Sequence, residues 1–260
     1  MQIFLYLCSD FLLIMEKITK NQVKFVRSLS RKKVRDEERM FVAEGEKCVS
    51  ELTGHFPLVL RADSSNATPL ELEQMSALRA PQGVIAVFRQ PEAEEVSLTA
   101  LAGQELVLAL DGVQDPGNLG TIIRTADWFG VRHIFCSRET ADCWNPKVVQ
   151  ATMGALARVR VHYIDLYAHI SHLTSHISHP TSPIYGTLLD GRNLYEAGAV
   201  PEKRHGVILM GNEGNGISQE LRRLVTHPLL IPPYPLGAET SESLNVSIAT
   251  AVILAEFRRP

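Results

Sequence analysis

From Leu106 onward the sequence alternates short apolar runs with amphipathic ones, and this alternation restricts the fold more than any other feature. ELVLALDGV, VRHIFCS, ARVRVHYI, PIYGTLL, GVILMG and HPLLIP read as six strands. NLGTIIRTADWFG, NPKVVQATMGA, LYAHISHLTSHI and ISQELRRLV read as helices between most of them, with a last helix after Glu242. Strands separated by helices predict an α/β fold with a parallel sheet and right-handed crossovers. Ligands in such sheets bind beyond the carboxyl ends of the strands. The residues that follow each strand therefore carry the functional information.

Upstream the texture differs. Residues 15–90 read as a small α/β domain: a basic helix, strand FVAEG, a helix around EKCVSELTG, then strands PLVLRA and GVIAVF. Residues 91–105 are polar and acidic and read as a linker, leaving 106–260 as the second domain. The opening MQIFLYLCSDFLLIM lacks a basic start, carries Asp10 and is too short to span a bilayer. Residues 1–14 are expected to be an extension, disordered or a mis-assigned start, and no membrane role is expected. Four cysteines without C-x-x-C spacing fit neither a zinc site nor a disulfide framework, which points to a reducing, cytoplasmic setting.

The net charge of −3 argues against a nucleic-acid partner, but its distribution argues for one. Between Glu16 and Met40 stand nine Lys or Arg against four acids. Lys17, Lys20, Lys24, Arg27 and Arg31 recur every three or four residues, with Val23, Phe25, Val26 and Leu29 on the apolar side. Such a face is either merely solvated or built for phosphate contact.

Three strand ends stand out. After the first strand, Asp115-Pro116-Gly117 makes a turn and Asn118 is placed as a helix N-cap. Ile122, Ala126 and Phe129 share the core face of that helix. Arg124 falls on the opposite side with Gly117 and Gly120 nearby, an arrangement that suits a bulky anion gripped by a forked guanidinium. The fifth strand runs into Gly211-Asn-Glu213-Gly-Asn-Gly216, which is neither the dinucleotide fingerprint nor a phosphate-binding P-loop. Gly211 there would let something approach the strand end closely. The sixth strand leads through Ile231 and Pro232 to Ser241-Glu242-Ser243-Leu244-Asn245-Val246-Ser247 and a helix apolar nearly all round. Leu244, Ile248, Ala251, Val252 and Ala255 form its expected core stripe. So many small polar residues at one helix start exceed the needs of one cap, and suggest a wall of a binding site.

Taken together, N-x-x-x-x-x-R, G-x-E-G-x-G and I-P…S-L-N-V-S resemble the three motifs of the SpoU-type RNA 2′-O-ribose methyltransferases of the SPOUT superfamily. The match spans roughly residues 106–257, and the basic N-terminal region resembles that family's small, ribosomal-protein-like substrate-binding domain. The resemblance implies a C-terminal trefoil knot, a homodimer packed through the knot, and S-adenosylmethionine as cofactor. It implies that Gly211, Ile231 and Leu244 contact the cofactor, and that Asn118, Arg124, Glu213, Ser243 and Asn245 line the reaction centre. Lys20, Lys24, Arg27 and Arg31 are expected to touch RNA, ribosomal rather than transfer RNA. The segment between Ile231 and Ser243 is longer than the motif requires, which loosens the correspondence there. A transfer-RNA methyltransferase and a catalytically silent RNA-binding protein are the alternatives. His169, His172, His176 and His179 share a helical face that could hold a metal, but no other feature calls for one and none is expected.

Overall fold

The computed structural model describes residues 17–78, 80–92, 94–174, 182–201, 204–235 and 241–260. The 1–14 extension, His176, His179 and most of the added length after Pro235 lie outside them. By contact the chain forms two compact units. One takes the residues up to 93 together with Asp142–Ala157, and the other takes Glu94–Ala141 and Arg158–Pro260. Residues 142–157, expected in the second domain, thus belong by contact to the first unit.

In the first unit, α1 (Lys20–Ser28) starts in a capping box between Thr19 and Gln22. It buries Val23 and Val26, and the following Leu29 is buried with them. Lys20, Lys24, Arg27 and Arg31 are exposed. The basic helix is not continuous, because Arg31 already caps a second helix, α2 (Lys32–Glu38). The buried Arg35 closes the junction, donating to the carbonyls of Leu29 and Ser30 and pairing with Asp142 at 2.6 Å. A buried guanidinium persists only when charge and donors are both matched, as here.

Strands β1 (Met40–Glu44), β2 (Leu58–Ala62) and β3 (Ile85–Arg89) form an antiparallel sheet in the order β1-β3-β2. α3 (Glu46–Leu52) and α4 (Pro69–Met75) connect them. Of these, α4 was not foreseen, although Thr68 and Glu71 form a capping box around Pro69.

The second unit holds α5 (Leu98–Ala102), β4 (Leu106–Leu110), α6 (Pro116–Trp128), β5 (His133–Cys136), β6 (Arg160–Tyr163), α8 (Leu166–Thr174), β7 (Ile184–Asn193), β8 (Gly206–Met210), α9 (Gln219–Arg222), β9 (His227–Leu230) and α10 (Val246–Phe257). Between β5 and β6 the chain visits the first unit as α7 (Pro146–Thr152). There Trp144 packs against Phe41, tilted, and against Phe56, edge-on. Within the stretch read as a linker, α5 buries Leu98 and Ala102 completely in the core that also holds Phe135 and Leu166.

All six strands are parallel, in the order β6-β5-β4-β8-β7-β9. The order runs one way from β4 and the other way from β8. Their shared boundary is the topological switch point, where the loops leaving two neighbouring strands diverge and open a crevice.

The last helix is turned opposite to expectation. Val246, Thr250, Ile253, Leu254 and Phe257 are buried, whereas Leu244 and Ile248 are 49% and 52% exposed. Apolar residues surround the helix, so hydrophobic spacing cannot select a face. What permits the inward turn is that the buried Ser247 and Thr250 satisfy their hydroxyls locally, on Asn245 Oδ1 (2.6 Å) and Val246 O (2.8 Å).

Candidate active site

The β4 and β8 loops interlock at the switch point. The Asn212 amide donates to Gly112 O at 2.6 Å, and Asp111 accepts from the Ser218 N–H at 2.7 Å. Backbone bonds in both directions between Asn212 and Gly216 close the β8 loop on itself. That closure explains Gly211, where a Cβ would lie 2.1 Å from the Gly216 carbonyl carbon. The close approach anticipated there is thus made by the loop's own backbone. Asn212 Oδ1 further accepts the N–H groups of Gly214 and Asn215. The loop so pinned carries Glu213.

Asp115, rather than Asn118, caps α6: its Oδ1 accepts the Asn118 N–H at 2.8 Å, with Pro116 in the first turn. This leaves the Asn118 side chain available. It donates to Glu213 Oε1 at 3.0 Å and accepts from Asn245 Nδ2 at 2.9 Å. Glu213 also faces the Gln114 and Asp115 N–H groups, each at 3.4 Å. Asn245 in turn caps α10, its Oδ1 receiving the N–H groups of Ser247 and Ile248.

The polarity of this chain is fixed from one end. Helix N–H groups require the oxygen of Asn245, which turns its NH₂ to the oxygen of Asn118, whose NH₂ must then meet an acceptor. A carboxylate at 213 is the matching terminus. One residue from each sequence motif joins the chain.

Beside it lies a cavity of about 370 Å³. Gly211, Glu213, Ile231, Ser243 and Leu244, all foreseen, line it. Thr187, Leu188 and Leu189 from β7, together with Leu229 and Arg222, were missed. The signal for the β7 residues was present, since PIYGTLL is also a strand end. Arg124 stands exposed on α6 and does not line this cavity. Among the described residues it makes no hydrogen bond or ion pair. Gly120, expected as open backbone beside it, is buried, while Gly117 is exposed. Lys20, Lys24, Arg27 and Arg31 belong to the first unit.

Among the described residues no group of three His, Cys, Asp or Glu could hold a metal, and no helix is long and apolar enough to cross a membrane. His169 and His172 ride on α8. The most perturbed histidine lies elsewhere: His162 on β6, stacked on Phe135 and bonded to His133 at 3.1 Å. Burial, reinforced by His133, pushes it down to about 4.

Residues 105–255 match the SpoU rRNA methylase family, which covers more than half of the chain. The chain belongs to the SpoU rRNA methylase family. Residues 20–59 further match an MRM3-like substrate binding domain. The Bacillus subtilis 23S rRNA (guanosine(2553)-2′-O)-methyltransferase RlmP is 31% identical, over 92% of this chain and 97% of that one. An AdoMet-bound rRNA methyltransferase from Sinorhizobium meliloti superposes with a TM-score of 0.78 at 29% identity, covering 94% of this chain and 96% of that one. A candidate RNA methyltransferase of the TrmH family from Porphyromonas gingivalis also reaches a TM-score of 0.78, at 37% identity, covering 93% of this chain and 98% of that one. In this chain the three motifs meet at one crevice of one sheet.

Proposed function

We propose that this SpoU-family protein transfers a methyl group from S-adenosylmethionine to a ribose 2′-hydroxyl of ribosomal RNA. The observation that carries the reading is the hydrogen-bonded chain Asn245–Asn118–Glu213, which ties the three motifs together at the switch point beside the cavity. A cavity of about 370 Å³, with apolar walls at Ile231, Leu229 and Leu244 and glycine backbone at Gly211, fits a nucleoside-bearing ligand. Gly211, Ile231 and Leu244 would hold it. The bound donor supplies an electrophilic methyl group on its sulfonium, which leaves the protein to present and activate the hydroxyl.

Arg124 is exposed and without an internal partner among the described residues, as a group waiting for an external anion would be. A guanidinium donates and does not accept. Arg124 therefore grips the phosphate next to the target ribose and stabilises negative charge developing on its 2′-oxygen as the hydroxyl proton leaves to solvent. Asn118, Glu213 and Asn245 hold the crevice walls in register, and Ser243 orients the ribose. The exposed cations Lys20, Lys24, Arg27 and Arg31 of α1 and the turn after it bind RNA phosphates in the first unit.

Two features of assembly belong to the same reading. The chain leaves β9 at the sheet edge, yet α10 packs on α6, which follows the central β4. This return past the β8 loop supports a trefoil knot. Leu244 just before α10 and Ile248 on it, both half exposed, and Trp128, 86% exposed on α6, leave apolar surface suited to a second copy, which supports a homodimer packed through that region. The setting is the cytoplasm.

The test is transfer of labelled methyl from S-adenosylmethionine to unmodified ribosomal and transfer RNA offered side by side, followed by mapping of 2′-O-methyl sites. One labelled ribose in ribosomal RNA is expected. Labelling of transfer RNA instead would overturn the target, and binding of RNA without transfer would favour a silent binder.

A further inference from the structure

Among the described residues, the charged ones lining the cavity are Glu213, Glu242 and Arg222, two carboxylates and a single cation. Glu213 already receives three N–H groups. Arg222, at the end of α9, is differently placed. Its guanidinium pairs with Asp190 of β7, and both side chains are largely open to solvent, at 48% and 66% exposure. Such an exposed pair contributes little to stability, so releasing the arginine to a ligand is inexpensive. The backbone beside the acid is nevertheless held firmly. The next residue, Gly191, packs so tightly on β9 that a Cβ there would sit 2.5 Å from the Leu229 carbonyl carbon. The pair is thus aimed by the backbone rather than by the flexible side chains alone.

The amino-acid end of the methyl donor is a zwitterion, with an α-carboxylate and an α-ammonium on one carbon. A carboxylate entering a cavity that already presents two acids needs a cation, because an unpaired anion there is repelled and desolvated. We infer that Arg222 binds the α-carboxylate of the donor as its ion pair with Asp190 opens. The inference rests on the reading of the cavity as the donor site. It adds a recognition residue on a helix that contributes nothing to the Asn245–Asn118–Glu213 chain.

The test compares two probes by calorimetry on the full-length protein and its Arg222→Met variant. S-adenosylhomocysteine keeps the amino-acid end, and 5′-methylthioadenosine lacks it. Loss of a forked, charge-assisted contact at a half-exposed site is expected to weaken S-adenosylhomocysteine about tenfold. The affinity for 5′-methylthioadenosine is expected to stay unchanged, which also verifies that the variant is folded. Unchanged affinity for both probes overturns the assignment. Equal weakening of both overturns it too, since Arg222 would then serve the adenosine end. A wild-type protein that binds neither probe removes the donor reading itself, and this inference with it.

Discussion

Asn245 both caps α10 and continues the chain that ends at Glu213, and two substitutions separate these roles. Asn245→Ala removes the acceptor for the Ser247 and Ile248 N–H groups and the donor to Asn118. Loss of the cap costs about 1 kcal/mol, and loss of the hydrogen bond about 1 kcal/mol more. For a chain of this size the sum of about 2 kcal/mol corresponds to a melting temperature lower by roughly 4–8 °C. Asn245→Asp keeps an equivalent cap and adds a charge that the helix N-terminus favours, so its melting temperature should stay close to wild type. Its second oxygen, however, faces Asn118 Oδ1 where an NH₂ stood. Asn118 must rotate, and then it turns an oxygen toward the Glu213 carboxylate that it now meets at 3.0 Å. Displacing such a wall by about 1 Å lowers turnover by about 10²-fold. Thermal unfolding and methyl-transfer kinetics are measured on both variants. Wild-type turnover in Asn245→Asp refutes the argument from hydrogen-bond polarity, and equal destabilisation of the two variants refutes the assignment of the cap.

Three further outcomes are expected. Arg124→Ala should lower methyl transfer by about 10²–10³-fold while S-adenosylhomocysteine still binds; near-wild-type turnover would remove Arg124 from the mechanism. Ile248→Lys places a charge on the exposed apolar surface of α10 and should convert the proposed dimer into a monomer in sedimentation; an unchanged mass would overturn the proposed contact. His162 is held down to about 4 by burial, while an unfolded chain takes up that proton near 6.5. The unfolded state thus binds more protons between these values, so stability complete at neutral pH is lost as the pH falls from about 6.5 toward 4. His162→Gln should flatten the decline of melting temperature across this window, and parallel curves for the two proteins would disprove it.

Candidate site residues were legible where chemistry and chain position coincide. Glu213 in a glycine loop, Asn118 after a Pro-Gly turn and Asn245 before an apolar helix each announce themselves locally. What each touches did not. Asn118 was placed as a cap because Asn is a good one, but the competing Asp115 lies one turn earlier and takes that role. Arg222 was passed over because a single arginine in a short polar helix carries no pattern. Leu188 and Leu189, in the break of the β7–β9 register between Thr187 and Arg192, line the cavity that Arg222 also lines, a proximity set only by the tertiary structure.

The sequence by itself determined the elements: six apolar runs, their parallel direction and the ends at which function had to lie. Period, caps and turns act within a few residues, so local composition suffices. Only the tertiary structure decided the rest: the boundary between β4 and β8, the inward face of α10, the docking of residues 142–157 in the first unit, and the burial of α5. Each depends on contacts between residues far apart in the chain, where many partners satisfy the same hydrophobic pattern. Packing and hydrogen-bond satisfaction select among them.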